Sequence, residues 1–210
     1  MMPRVVKGGI TLAAIAAVCT SLVAATYQLT TDRIAANERA WLERSLLPAL
    51  GDVPFDGSIT DSKIVLEPPH GLPGSDAAVI YRARSGGVPA AALFAVTARG
   101  GYAGPIRILV GIRAGGSVTG VRILEHRETP GLGDGIEPAR SDWVYQFDGR
   151  SLGDPPLAGW QLRTDGGRFD QLTGASVTPR AVVKAIRETL LYFDAHQAEI
   201  FDMPATAEPQ

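Results

Sequence analysis

Apolar positions along the 210-residue chain fall into three patterns: one unbroken run, a two-residue alternation and a helical spacing. The run "GGITLAAIAAVCTSLVAATYQL", residues 8–29, holds 22 residues without a charge. At 1.5 Å rise it extends about 33 Å, which predicts a single transmembrane helix. The next stretch keeps helical spacing, with Ile34, Trp41, Leu42 and Leu46 as a stripe, and reads as a helical connector over 31–50. From Gly51 the period shortens. Strand patterns follow near Lys63, over 77–84 and over 88–102, the last two flanking the turn "SGG". Ile106, Ile108 and Val110 then alternate with Arg107 and Leu109. Gly115-Gly116 makes a turn, and Val118, Val121, Ile123 and His126 fall on the return arm. A short helix is predicted over 141–149 and a strand followed by a loop over 159–176. A long helix is predicted from Thr178, which reads as its N-cap, with Pro179 in its first turn and Val182, Val183, Ile186, Leu190 and Phe193 on one face. The tail from 202, "DMPATAEPQ", reads as disordered.

The pattern predicts an α+β chain: one N-terminal transmembrane helix, then an antiparallel sheet with flanking helices. Its expected parts are a cytoplasmic tip and transmembrane helix over 1–30, a helical connector over 31–50, an extracytoplasmic domain over 51–203 and a disordered tail over 204–210. Arg4 and Lys7 precede the apolar run, which keeps the short N-terminal flank cytoplasmic and sends the remainder across. Tyr27 sits where an interfacial aromatic belongs. The competing reading is a signal peptide cleaved after "VAA" at 23–25. The length of the run and the helical pattern that continues it favour a retained anchor.

Composition narrows the chemistry. The apolar fraction of 45% supports a core, and 24 Gly with 15 Pro imply many turns. A net charge of −2 leaves no nucleic-acid footprint. The single cysteine, Cys19, excludes an internal disulfide and a cluster ligated by this chain alone. No G-x-G-x-x-G fingerprint opens a helix after a strand, so a dinucleotide site is not expected. No metal site and no catalytic nucleophile or base is expected.

Two segments remain. "DQLTGASVT", residues 170–178, offers Thr173, Ser176 and Thr178 around a small Gly174-Ala175 pair at the mouth of the long helix. "HRETPGLGDGIE", residues 126–137, is a glycine-rich loop after the hairpin. Taken singly, each has an ordinary reading. The hydroxyls could serve the cap and Asp170 a turn. Glu128 and Thr129 could be sheet-edge polar residues, and His126 a satisfied imidazole. Trp143 and Trp160 are better placed in a core than on a ligand. Arg168 and Lys184 read as solvated surface charge.

Taken together, these segments resemble the FMN-binding domain family of respiratory membrane complexes. The likeness is to the G subunit of Rnf-type ion-translocating ferredoxin:NAD oxidoreductases and its sister, the C subunit of sodium-pumping NADH:quinone reductases. It covers nearly the whole chain and is strongest from Gly101 to Val183. In that family FMN is joined through its phosphate to the last hydroxyl of Asp-x-x-Thr/Ser-Gly-Ala-Thr/Ser. The resemblance therefore implies a covalent FMN phosphoester on Ser176, donated from FAD by a flavin transferase that recognises Asp170. The usual acceptor is threonine, so Ser176 keeps the hydroxyl and loses a methyl. It further implies cofactor contacts from Thr173, Gly174, Ala175 and Thr178, and from Glu128, Thr129, Gly131, Leu132 and Gly133, with Leu132 against the ring and Thr129 near its polar edge. The implied role is an electron-carrying subunit of an ion-translocating complex in the bacterial inner membrane, its soluble domain periplasmic. The implied partners are other membrane and redox subunits, the transferase and membrane lipid. Two other classes stand beside it: a membrane-anchored flavin-domain regulator and a flavin-free extracytoplasmic assembly subunit.

Overall fold

Gly86 and Gly87, both with positive φ (58° and 80°), turn strand β2 (Ala78–Ser85) directly into β3 (Val88–Ala98). Only glycine takes two consecutive left-handed positions without steric cost, so the "SGG" signal makes a two-residue hairpin. The computed structural model describes residues 4–206, with some side chains of the first helix outside the described set. β1 (Lys63–Leu66), β2, β3, β4 (Ile106–Arg113) and β5 (Val118–Glu125) form one five-stranded antiparallel sheet in sequential order, a meander. The antiparallel sheet with flanking helices agrees with the expected fold class.

The chain divides into two units, Met1–Leu42 and Glu43–Gln210. Helix α1 (Arg4–Leu50) runs through both. In the first unit, Leu12, Ile15, Val18, Leu22, Val23 and Tyr27 are all exposed. Thr26 and Thr30 return their hydroxyls to the carbonyls of Leu22 and Thr26, at 2.8 and 2.7 Å. The expected span 8–29 is helical throughout. Among the described residues, however, no helix is long and apolar enough to cross a membrane. The side chains of Ile10, Thr11, Ala25, Gln28 and Leu29 lie outside the described residues, and the stretch between them is diluted by Ala, Thr and Ser. Ile34 and Trp41 of the expected stripe also lie outside the described side chains, whereas Leu46 is buried.

The second unit explains why β3 and β4 are apolar on both sides. On one face, Ile80, Phe94, Val110 and Val121 lie in register across four strands. They pack under helix α2 (Val177–Asp202), whose Val182, Val183, Ile186, Leu190 and Phe193 are all buried. Phe94 and Phe193 meet edge to face at 5.9 Å. On the other face, Leu93 and Leu109 are covered as well, and the end of α1 lies against Gly111 and Gly120. A Cβ on Gly111 would overlap the Ala49 carbonyl oxygen. Thr119 Oγ1 donates to that same oxygen at 2.6 Å, and Gly51 (φ 67°) ends the helix. The connector expected over 31–50 is thus one unbroken helix whose last turns belong to the sheet.

Four local expectations are corrected. The strand expected to run to Tyr102 stops at Ala98, because "RGGYAGP" is too rich in Gly and Pro to hold a ladder. Residues 159–176 form no strand among the described residues. They make 3-10 turns and single bridges around an aromatic cluster of Trp143, Phe147, Trp160 and Phe169. The segment expected as a short helix is a 3-10 helix, Asp142–Phe147, capped by the Ser141 side chain. The tail is ordered as far as Thr206, whose N–H donates to Lys63 O at 2.7 Å and whose hydroxyl accepts from Val65 N at 3.0 Å, so it covers edge strand β1. Residues 207–210 lie outside the described residues.

Arg82 closes the far end of α2. It is 6% exposed and donates to Ser62 Oγ (3.0 Å), Ile200 O (3.1 Å) and Met203 O. Arg84 adds a bond to Phe201 O. A buried cation on the orphan carbonyls of a helix end is favoured by both the hydrogen bonds and the helix dipole. Arg82→Leu should destabilise the folded chain by about 3 kcal/mol, read as a lower urea midpoint, because several buried acceptors lose their donor together.

Candidate functional site

The loop after β5 and the start of α2 are brought together by one carboxylate. Glu128 is 5% exposed. Its Oε2 accepts from Thr178 Oγ1, and its Oε1 accepts from Ala103 N at 3.1 Å. Its own N–H donates to His126 Nδ1 at 3.0 Å, leaving His126 Nε2–H to donate to Glu137 Oε1 at 2.6 Å. His126 is therefore a satisfied imidazole. Two glycines make room for the carboxylate: a Cβ on Gly101 would lie 2.8 Å from Glu128 Oε1, and one on Gly133 would lie 2.8 Å from Oε2.

Around this tie lies a cleft of about 340 Å³, lined by Tyr102, Glu128, Thr129, Leu132, Gly133 and residues 174–178. Of the residues singled out from sequence, it gathers Glu128, Thr129, Leu132, Gly133, Gly174, Ala175, Ser176 and Thr178. Gly131 (φ 78°) shapes the loop just outside the lining, where Leu132 and Gly133 both donate to Thr129 O at 3.1 Å. Thr173 also falls outside the lining, in the turn closed by Ala175 N–H to Leu172 O at 3.1 Å. Gly174 (φ 78°) occupies that turn, and a Cβ there would meet Leu132 Cδ2 at 3.1 Å.

The three hydroxyls are now distinct. Thr178 is not the N-cap. It is fully buried in the first turn of α2 and spends its proton on Glu128. Ser176 holds the N-cap position, is exposed, and makes no side-chain cap bond. The first intrahelical bond is Arg180 N–H to Ser176 O, so the amides of Val177 and Thr178 have no acceptor within the helix, and Pro179 has no N–H. Among the described residues lining the cleft there is no Lys or Arg. Arg168 and Lys184 are exposed elsewhere, Lys184 facing Glu188 at 3.8 Å.

Asp170 lies outside the cleft. Its backbone is held by Gln146 Oε1 and Trp143 Nε1, while its carboxylate is 60% exposed beside Arg163 at 3.1 Å. Trp143 and Trp160 pack in the aromatic cluster and do not line the cleft. Behind the site, Arg180 in the first turn of α2 grips Asp165 with two bonds, at 2.6 and 2.9 Å. That contact holds the Asp165 carboxyl below the usual carboxylate range. Tyr102 and Val177, 74% and 41% exposed, extend the apolar rim begun by Leu132. Periodicity could not single them out as cleft residues, since Tyr102 ends the strand expected over 88–102 and Val177 precedes the helix expected from Thr178. The one signal was an aromatic inside a run of glycines.

Comparison with known proteins gives two family matches. Residues 101–191 match the FMN-binding domain, and residues 1–48 match the RnfG N-terminal region. The chain is 42% identical over 203 residues to the G subunit of the ion-translocating oxidoreductase complex of Shewanella oneidensis, covering 97% of this chain and 96% of that one. It is 45% identical over 195 residues to the G subunit of the same complex from Pseudomonas aeruginosa, covering 92% and 91%. The crystal structure of Shewanella oneidensis NqrC superposes with a TM-score of 0.46 at 20% identity over 64% of this chain and 69% of that one, too loose a likeness to add to the assignment. With more than nine-tenths of its length matched at this identity, the chain belongs to the family of G subunits of ion-translocating oxidoreductase complexes.

Proposed function

We propose that this chain is the flavin-carrying electron-transfer subunit of a membrane ion-translocating oxidoreductase complex, with FMN joined through its phosphate to Ser176. One observation carries the reading. Ser176 is the cleft's exposed, uncommitted serine hydroxyl, and it stands at a helix start within the segment that matches an FMN-binding domain.

The residues present suit such a group. A phosphodiester carries about one negative charge, and among the described residues no cation lines the cleft to offset it. The free amides of Val177 and Thr178 and the positive end of α2 are placed to do so. Leu132, Val177 and Tyr102 offer apolar surface to a ring, and Thr129 with the loop backbone offers polar contacts. Gly174 keeps open the space beside Leu132 that a side chain would fill. When bound, the flavin supplies the redox chemistry, and the chain holds it in place and excludes water from one side. Attachment uses FAD: Ser176 Oγ bonds to the phosphorus of the FMN half, AMP leaves, and the hydroxyl proton passes to a base of the transferase. The exposed Asp170 carboxylate is available for that enzyme to read.

The same proposal places residues 8–29 in the bacterial inner membrane, with the cleft-bearing domain on the periplasmic side and membrane lipid and other redox subunits as partners. The match of residues 1–48 to the family's N-terminal region supports this, as does the return of the Thr26 and Thr30 hydroxyls to the helix backbone, which removes their need for water.

Two measurements test the reading. Full-length chain coexpressed with a flavin transferase should fluoresce in a denaturing gel, and Ser176→Ala should abolish the band while Ser176→Thr keeps it. Fluorescence that survives Ser176→Ala and disappears in Thr173→Ala would move the acceptor. For topology, a reporter active only in the cytoplasm, fused after Gln210, should be silent. A mature N-terminus beginning at Thr26 would instead show a cleaved signal peptide.

A further inference from the structure

We infer that Glu128 is a positioning residue: its carboxylate bridges three separate segments and thereby sets the backbone that presents Ser176. The inference rests on the reading that Ser176 is the acceptor. Oε1 holds Ala103 in the loop between β3 and β4. Oε2 holds Thr178 in the first turn of α2. The Glu128 backbone is itself held through His126 to Glu137. The loop containing Glu128 touches the acceptor segment at two points, Glu128 on Thr178 and Leu132 beside Gly174. Ser176 lies midway between them in sequence. The residue meant to react is free, and its neighbours on both sides are fixed.

Burial makes the tie decisive. A carboxylate 5% exposed must have its lone pairs satisfied, and among the described residues no cation lies within ion-pair distance of it. Its partners are one backbone amide and one hydroxyl, both directional. Loss of either leaves a buried acceptor unmatched, and the segment that carried the donor is released. Gly101 and Gly133 are the complementary half of the device, since a Cβ at either would push into a carboxylate oxygen. A side chain that served stability alone could be replaced by an apolar one of like volume. One that sets a reactive geometry could not.

The test has two arms, both on the full-length chain. In the first, unmodified protein is followed by amide hydrogen exchange. Glu128→Ala should raise exchange at least tenfold at Ala103 and over residues 173–178, leaving β3 and β4 amides at wild-type rates. In the second, the initial rate of flavin attachment is measured with purified transferase and FAD. Glu128→Ala and Thr178→Val should each slow attachment about tenfold, the double variant should be no slower than either, and Thr178→Ser should restore the wild-type rate. Multiplying effects in the double variant, or wild-type attachment by Thr178→Val, would overturn the inference, as would unchanged exchange in the first arm. If wild-type chain takes up no flavin, the acceptor reading fails by itself, and the exchange arm still decides whether Glu128 orders the segment.

Discussion

Two-sided burial of the meander is the constraint on which the rest of this structure depends. β3 and β4 carry apolar side chains on both faces, and neither face can be left to water. A single helix cannot cover both. The chain meets the demand from its two ends, with α2 on one face and the last turns of α1 on the other. The glycines at 111 and 120 let the α1 backbone sit directly on the sheet. The site follows from this arrangement. Because α2 must lie across β3 and β4, its N-terminus falls beside the β3–β4 loop and the loop that follows β5.

That placement divides the labour between backbone and side chains. The cleft is walled by loops whose turns require glycine and whose one buried charge is matched by an amide and a hydroxyl. Its rim is apolar and exposed. Its source of positive potential is a helix end, which is short-ranged and points one way. A lysine could offer more charge but would bring a flexible stem into the cleft. A group attached at Ser176, as proposed, would be held by geometry more than by charge.

The relatives from Shewanella oneidensis and Pseudomonas aeruginosa span nearly the whole chain at 42% and 45% identity, so the N-terminal segment, sheet and cleft are shared as one unit. If residues 8–29 anchor the chain and Ser176 carries the flavin, as proposed, both features would address one physical problem, that of keeping a diffusible redox group at high local concentration beside its partners.

The sequence by itself determined what depends on near neighbours. Alternation marked β2 to β5, helical spacing marked α2 and its buried face, paired glycines marked the β2–β3 turn, and two short motifs marked the cleft. These signals are local, since strand period, helix period and turn conformation involve only a few consecutive residues. What lies between periodic segments was beyond reach. Nothing in "RGGYAGP" says that Tyr102 leaves the strand to stand at the cleft, and nothing in "GWQLRTDGGRF" replaces the expected strand with 3-10 turns and an aromatic cluster. The difference between Thr178 and Ser176 was equally hidden. Both are hydroxyls at a helix mouth, and which of them is tied and which left free turned on Glu128, 50 residues before Thr178. Only the tertiary structure brings that carboxylate to Thr178 and leaves Ser176 free, because a buried acceptor selects the donor that the packing of α2 on the sheet places within its reach.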